Sequence, residues 1–277
     1  MEIYETDMGL EVVAVDDQLK TDGTIHPVLP QPPFSLMITA PKGSGKSTVI
    51  SRLIAGVPKR GDKPAIPYYK KFFDRVHIFS PSWRLDASKS KQLAIPDDQI
   101  YDNEKEYPLI VEQILLDQEI TIEEEGKEKA HKVLLIFTDL AGSNTFKFTH
   151  GIFVKLAFNL RHYNVSVIID SQKYRSINTA FRTNMSAHIF FQVHNQKELE
   201  AIREEQSNGL TKDESNEVYQ YSTSRPYSFL YLNYQKPIGE RFHRMFNPLR
   251  LPAIEKYIHN GHTDNKKDET PPDPPPK

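Results

Sequence analysis

Apolar residues in this chain gather into short dense runs, and the stretches between several runs repeat apolar positions every three or four residues. Ser35–Thr39, Arg75–Ser80, Lys132–Asp139, Val165–Asp170 and Ala187–Val193 have the density and length of buried strands. Pro81 stops the second of these. Ser47–Val57, with Val49, Ile50, Leu53 and Ile54 on one face, reads as a helix, and so does Ile152–Tyr163, with Ile152, Phe153, Leu156, Ala157 and Leu160. Further helices are expected near Tyr107–Asp117 and at Lys197–Glu205. Tyr227–Tyr234 alternates and reads as a late strand for which an edge position is open. Strand runs separated by helices imply an α/β fold, a mainly parallel sheet with helices on both faces.

The segments between these elements are polar. Pro58–Tyr69 is a Pro- and Lys-rich loop, and Asp97–Glu106 is turn-like. The charge-rich Glu119–Lys132 segment reads as an exposed hairpin or loop. Residues 1–30 form an N-terminal arm ending in Pro27, Pro30, Pro32 and Pro33; residues 31–250 form the main domain, and 251–277 a C-terminal segment. Thr270–Lys277 contains five prolines, a composition that leaves the tail disordered.

The first strand and first helix are joined by Ala40-Pro41-Lys42-Gly43-Ser44-Gly45-Lys46-Ser47. A strand, a Gly-rich turn, Gly-Lys-Ser and a helix make the phosphate-binding P-loop. Backbone N–H groups from Gly43 to Ser47, with Thr48 behind them, cradle phosphate oxygens at a helix N-terminus. Lys46 would reach the terminal phosphates and Ser47 would ligate Mg²⁺. The usual opening Gly is Ala40 here, and Pro41 has no N–H to give.

Composition narrows the setting. The 277 residues are 38% hydrophobic and 26% charged, enough for a large α/β core, and no apolar run is long enough to span a bilayer. The acidic start of the chain lacks a signal-peptide core, and with no cysteine there is neither disulfide nor Cys-type zinc site. A net charge of −2 gives no global attraction to nucleic acid. Any such attraction falls to local patches: Lys59-Arg60, Lys70-Lys71, Lys173 with Arg175, and Lys236 to Arg244.

Three further features belong with a P-loop. The strand Val133–Phe137 ends in Thr138-Asp139, where P-loop enzymes carry the magnesium-side carboxylate. In the subgroup with an additional strand between the two motifs a second acid follows and activates water, and Arg75–Ser80 is a candidate for that extra strand. Only one acid is present here. Asp139 therefore stands either in the water-activating position, with Thr138 in the metal-side one, or serves the metal itself. Gln172, just past the strand 165–170, has the side chain to orient a water molecule. Arg175 and Arg182 are candidates for an arginine that reaches a γ-phosphate, from its own or a neighbouring subunit.

The succession APKGSGKS, VLLIFTDLAGS, LRHYNVSVIIDSQKYRSI and FRTNMSAHIFF, followed by the Lys197-Glu198-Leu199-Glu200 helix, resembles FtsK–HerA-type genome-packaging ATPases of large eukaryotic DNA viruses and virophages. The resemblance spans roughly residues 34–245 and rests chiefly on RHYN…SQKYRSI with the downstream FRTN. It implies an ATP- and Mg²⁺-dependent motor. Such a motor is a homo-oligomeric ring, pentamer or hexamer, that drives double-stranded DNA into a capsid through portal-vertex components. It also implies a virus-encoded protein acting at an intracellular assembly site or in the virion. The family pattern has an acidic pair where this chain has Thr138-Asp139, and a Thr before Ser-Gln where this chain has Asp170. Asp170 could compensate electrostatically, and Thr138→Asp is expected to be tolerated.

Two other readings compete. A degenerate P-loop protein would bind nucleotide and scaffold assembly without efficient hydrolysis, as Ala40 and the missing acid suggest. A small-molecule kinase would need an Arg-rich lid, which this chain lacks. ATP and GTP are not distinguished by these residues.

Overall fold

The structure is a computed structural model that describes residues 4–5, 25–59, 65–85, 93, 95–140, 145–146 and 151–254. The expected disordered tail and most of the arm lie outside these residues. The strands are β1 (Tyr4–Glu5), β2 (Ser35–Thr39), β3 (Arg75–Phe79), β4 (Ile100–Tyr101), β5 (Val133–Phe137), β6 (Val165–Ser171), β7 (Ala187–Phe191), β8 (Phe229–Asn233), β9 (Phe242–Arg244) and β10 (Asn247–Arg250). The helices are α1 (Lys46–Ala55), α2 (Tyr107–Glu125), α3 (Ile152–Asn159), α4 (Thr179–Thr183), α5 (Gln196–Glu205) and α6 (Lys212–Thr223). The strands form one sheet in the order β1-β10-β9-β8-β7-β2-β6-β5-β3-β4. From β7 to β4 the pairing is parallel. From β7 to β1 it is antiparallel.

Side-chain alternation divides the core between the two faces of this sheet. Leu36 and Ile38, Leu134 and Ile136, and Ile168 pack with Val49, Ile50 and Leu53 of α1. Met37, Leu135, Phe137, Val167 and Ile169 face the other way, into a core shared with Val111 and Leu115 of α2, Leu156 of α3, Ile202 of α5 and Val218 of α6. Continuing the α1-facing rows by one step brings Thr138 on β5 and Asp170 on β6 to the end of the sheet where the P-loop begins. The registers Phe137↔Ile169 and Ile38↔Asp170 set the two side by side.

The expected α/β architecture holds, with four corrections. The strand that separates β2 from β5 in space is β6; β3, expected in that place, pairs on the far side of β5. Chain order alone does not give sheet order. Second, the charge-rich segment 119–132 is a loop only in its second half: α2 continues to Glu125 and ends at Gly126, whose N–H bonds to Ile122 O at 3.1 Å, and 126–132 is turn and irregular chain. Its Glu, Gln, Leu and Ile residues are good to fair helix formers, and charge by itself does not break a helix. Third, β8 is not an edge. It lies between β7 and β9, and its residues are all buried. Fourth, α6, β9 and β10 have no clear apolar period and were not expected. A capping box starts α6, with Thr211 Oγ1 accepting from Glu214 N–H and Glu214 bonding back to Thr211 N–H.

Three buried histidines give the fold an acid limit. Burial holds His188 down at about 3, with help from Arg182. Burial and Arg75 hold His77 at about 4 against the pull of Asp98. Burial holds His243 at about 4 against its hydrogen bonds to backbone. Unfolded histidine titrates near about 6.5, so below that pH the unfolded chain binds more protons and stability falls with pH. The loss by pH ~5 is on the order of 2 kcal/mol for each histidine. Asp170, with its raised carboxyl, opposes this by one proton at most. Urea unfolding at pH 7.5 and 5 should show the drop, and His188→Gln should make it shallower. A flat profile would mean that these rings protonate freely in the fold.

Candidate functional site

The P-loop leaves β2 at Ala40, whose N–H is bonded to Ser171 O at 2.9 Å, and enters α1 at Lys46. Two glycines make the turn possible. Gly43 has φ +79° and Gly45 φ +96°, a left-handed region that other residues occupy only with strain. Nothing lies within 4 Å of the place where a Gly43 side chain would stand, so the backbone there faces open space that phosphate oxygens could fill. Ser44 Oγ donates to Pro41 O at 2.7 Å and braces the loop. Ser47 is half-buried and Thr48 exposed in the first turn of α1.

Lys46 lies almost wholly inside. Its Nζ donates to Asp170 Oδ1 at 2.8 Å and to Asp139 Oδ1 at 3.0 Å. Asp170 is 1% exposed. Its other oxygen accepts from the Thr138 hydroxyl, and the Asp139 N–H approaches Oδ1 at 3.3 Å. Asp139 has φ +60°, a left-handed conformation that turns it out of line as β5 ends. Its second oxygen accepts from Ser82 Oγ at 2.8 Å. Burial pushes the Asp170 carboxyl up, against the pull of Lys46 and Thr138. Burial pulls the Lys46 ammonium down, and the two carboxylates more than reverse this, so that its net shift is upward. The ammonium is thus in direct contact with a carboxylate oxygen of each acid.

A buried carboxylate stands beside Thr138, supplied by β6 instead of β5. Thr138 is 1% exposed and bonded to that carboxylate, so a third acid at this position would meet Asp170 at close range without water. The expectation that Thr138→Asp is tolerated is reversed by this contact.

Past β6 the chain forms a short 3₁₀ turn, Tyr174–Ser176. The Ser171 and Ser176 hydroxyls are 2.7 Å apart. Tyr174 OH donates to Glu205 Oε2 at 2.8 Å, and Arg175 N–H to Glu198 Oε2 at 3.0 Å. The turn is thereby docked on α5. It leaves Gln172 half-buried and the Arg175 side chain exposed beside the P-loop end of the sheet.

Arg182 is engaged elsewhere. It is 8% exposed, bonds to Glu205 at 2.6 and 2.9 Å and to Thr179 Oγ1 at 3.1 Å, donates to Ile177 O, and lies over the Tyr174 ring at 4.9 Å. This geometry makes it a structural clamp between α4 and α5. The basic stretch Lys236–Arg244 likewise does not present a patch. Arg244 is buried over Tyr221, and Arg241 bonds to Lys236 O and Asn208. Lys70 and Lys71 stay at the surface, and Arg60 lies outside the described residues.

Residues 26–218, well over half of the chain, match the poxvirus A32 protein family. The chain belongs to this family. Among solved structures, this A32-family chain is similar to the genome packaging NTPase B204 from Sulfolobus turreted icosahedral virus 2 in complex with AMP. The two share 17% identity over 74% of this chain and 94% of that one, with a TM-score of 0.50. The DNA-packaging ATPase B204 of Sulfolobus turreted icosahedral virus shares 15% identity over 74% and 94%, with a TM-score of 0.49. At such identity the likeness is one of fold, the P-loop NTPase fold. Among curated proteins none matches this chain.

Two members of the site were not singled out from sequence. Ser82 follows β3 after Ser80-Pro81, and only the sheet order brings it to Asp139. Asp170 was noted only as a possible compensation. Its signal was an acid ending an otherwise apolar strand, which a buried row does not accept without a partner.

Proposed function

We propose that this A32-family chain is an ATP-hydrolysing motor that moves double-stranded DNA into a viral capsid, working as a homo-oligomeric ring. Family membership and fold support the class. The observation that carries the chemistry is Lys46 at the P-loop, held between Asp139 and Asp170 from two neighbouring strands. Residues 31–250 would form the motor domain, with 1–30 and 251–277 as extensions.

The roles follow from placement. Backbone N–H groups of Gly43 to Ser47 receive the phosphates, and Lys46 turns from the carboxylates to the terminal phosphate oxygens as charge builds there. Ser47 and one of the two acids form a set of hard oxygens suited to Mg²⁺, which binds by few protein ligands plus phosphate oxygens. When bound, Mg²⁺ supplies charge neutralisation at the phosphates. Among the described residues no cluster of three or more His, Asp or Glu could hold a metal ion. Asp139, the more exposed acid, accepts a proton from the attacking water, and Gln172 orients that water. Arg175 approaches the γ-phosphate of a neighbouring subunit. Among the described residues no helix is long and apolar enough to cross a membrane.

The non-hydrolysing alternative drew on the absent acid, and Asp170 supplies a carboxylate at that place. A steady-state ATPase assay with and without duplex DNA tests the proposal. DNA should raise turnover regardless of sequence, and rising salt should cancel the effect through counterion competition. Asp139→Asn should lower turnover by about 10²-fold. Thr138→Asp should also lower it, by crowding carboxylates. Nucleotide binding without hydrolysis in the unaltered protein would return it to the scaffold reading.

A further inference from the structure

Among the described residues Tyr227 is one of the few large apolar side chains at the surface, 69% exposed, and its backbone is held at φ +62°. It stands in the turn Arg225-Pro226-Tyr227-Ser228 that precedes β8. A Pro followed by a residue of positive φ is the pattern of a type II turn, whose third position normally takes Gly or Asn. A tyrosine there is strained, and such strain collects at functional positions. The turn is well braced. Ser228 Oγ donates to Arg225 O at 2.7 Å and accepts from Arg225 N–H at 3.1 Å, and Ser228 N–H bonds to the same carbonyl at 3.1 Å. The ring is therefore rigidly presented and nearly bare.

What it is presented to is the P-loop. A side-chain carbon added at Gly45 would lie 3.3 Å from Tyr227 Cδ1, so the ring edges against the last turn residue before Lys46. Sheet topology fixes the side. β7 runs parallel to β2, β8 returns antiparallel, and the pair Phe191↔Phe229 puts the start of β8 at the P-loop end. β7 and β8 flank β2 on one side, and β6 and β5 carry Asp170 and Asp139 on the other. Lys46 faces the acids, so the terminal phosphate belongs on their side of the loop. The remainder of a nucleotide then leaves the loop towards Tyr227.

We infer that Tyr227 is the platform for the nucleotide base, stacking its ring on the base and so joining the phosphate cradle to a base subsite that accepts any base by its π-face. This deepens the nucleotide reading above and rests on it. Stacking of a base on an aromatic side chain is sequence-tolerant and contributes about 5- to 100-fold in affinity.

The test measures equilibrium binding of ATP and of inorganic tripolyphosphate, both with Mg²⁺, to the full chain. Tripolyphosphate shares the cradle and lacks the base. Tyr227→Ala should weaken ATP by about 5- to 100-fold and leave tripolyphosphate unchanged, and Tyr227→Phe should bind both as the unaltered chain does. In Tyr227→Trp the new indole should be quenched by ATP and not by tripolyphosphate, after subtraction of the Trp83 signal of the unaltered chain measured with each ligand. Equal weakening of both ligands by Tyr227→Ala would make the tyrosine a brace of the P-loop and overturn the assignment. So would an unchanged affinity for ATP, whether or not duplex DNA binding fell. If the unaltered chain bound neither ligand, the nucleotide reading itself would fail, a result distinct from either of these.

Discussion

Lys46→Ala is expected to stop turnover and to destabilise the nucleotide-free fold in the same step. The catalytic loss follows from the P-loop role: without the ammonium, charge on the terminal phosphate is uncompensated, a loss of about 10²–10³-fold or more. The stability loss follows from the apo geometry. Lys46 is the cation in contact with Asp170, which is 1% exposed, and it also bonds Asp139. Removing one partner of a buried pair costs about 3–5 kcal/mol, and the partial exposure of Asp139 places the cost at the lower end. The sign with pH is set by Asp170. Its carboxyl is already raised by burial, and losing Lys46 raises it further. Protonation then relieves the stranded charge, so the difference between variant and unaltered protein should shrink as pH falls. Comparing the two at each pH cancels the histidine contribution. Lys46→Ala with Asp170→Asn should regain much of the stability and none of the activity. Urea unfolding and a phosphate-release assay on the same preparations check both halves. A Lys46→Ala chain as stable as the unaltered one at pH 8 would show that Asp170 is not held ionised by this lysine.

The second large effect is expected at Arg175. A trans-acting arginine contributes about 10³–10⁵ in rate, so Arg175→Ala should retain nucleotide binding and lose turnover on that scale. Arg182→Ala should behave differently. Its guanidinium is bonded to Glu205 and stacked on Tyr174, so its loss should lower stability and loosen the turn that carries Gln172 and Arg175. The two effects separate by unfolding: Arg175 is exposed, and its truncation should leave the midpoint almost unchanged. Mixing Lys46→Ala and Arg175→Ala chains tests action across subunits. Each Lys46→Ala subunit lends its arginine to a neighbour with an intact P-loop, so mixed assemblies should recover part of the activity. No recovery in mixtures shown to co-assemble would confine Arg175 to its own subunit or to the surface. Recovery with Arg182→Ala in its place would mean that the buried ion pair opens during the cycle.

What local sequence could determine was the set of features whose physics is local. A strand, a Gly-Ser-Gly turn and a helix are neighbours in the chain, and Gly43 and Gly45 mark the left-handed backbone directly. The parallel strands β2, β3, β5, β6 and β7 announced themselves because a strand buried on both faces is apolar throughout. Elements governed by caps and tertiary burial were less legible. Nothing in the charge pattern after Asp117 shows that α2 runs on, and the apolar run of β8 does not say that β9 covers its edge.

The site divided along the same line. Lys46, Ser47 and Asp139 stand out as candidates by their motifs, whereas their mutual arrangement is not readable there. Thr138 and Asp170 lie in different strands, and only the register of β5 on β6 makes the buried acid of one strand stand beside the hydroxyl of the other. Arg175 and Arg182 look alike in sequence. Glu205 and Tyr174, brought in by packing, bind one and leave the other in solvent. Tyr227 lies far from the P-loop in the chain and reaches Gly45 because β8 returns antiparallel beside β7. Chemistry within one turn of the backbone is written in residue order. Chemistry between strands depends on which strands pair and in what register, and that is decided by the packing of the whole sheet.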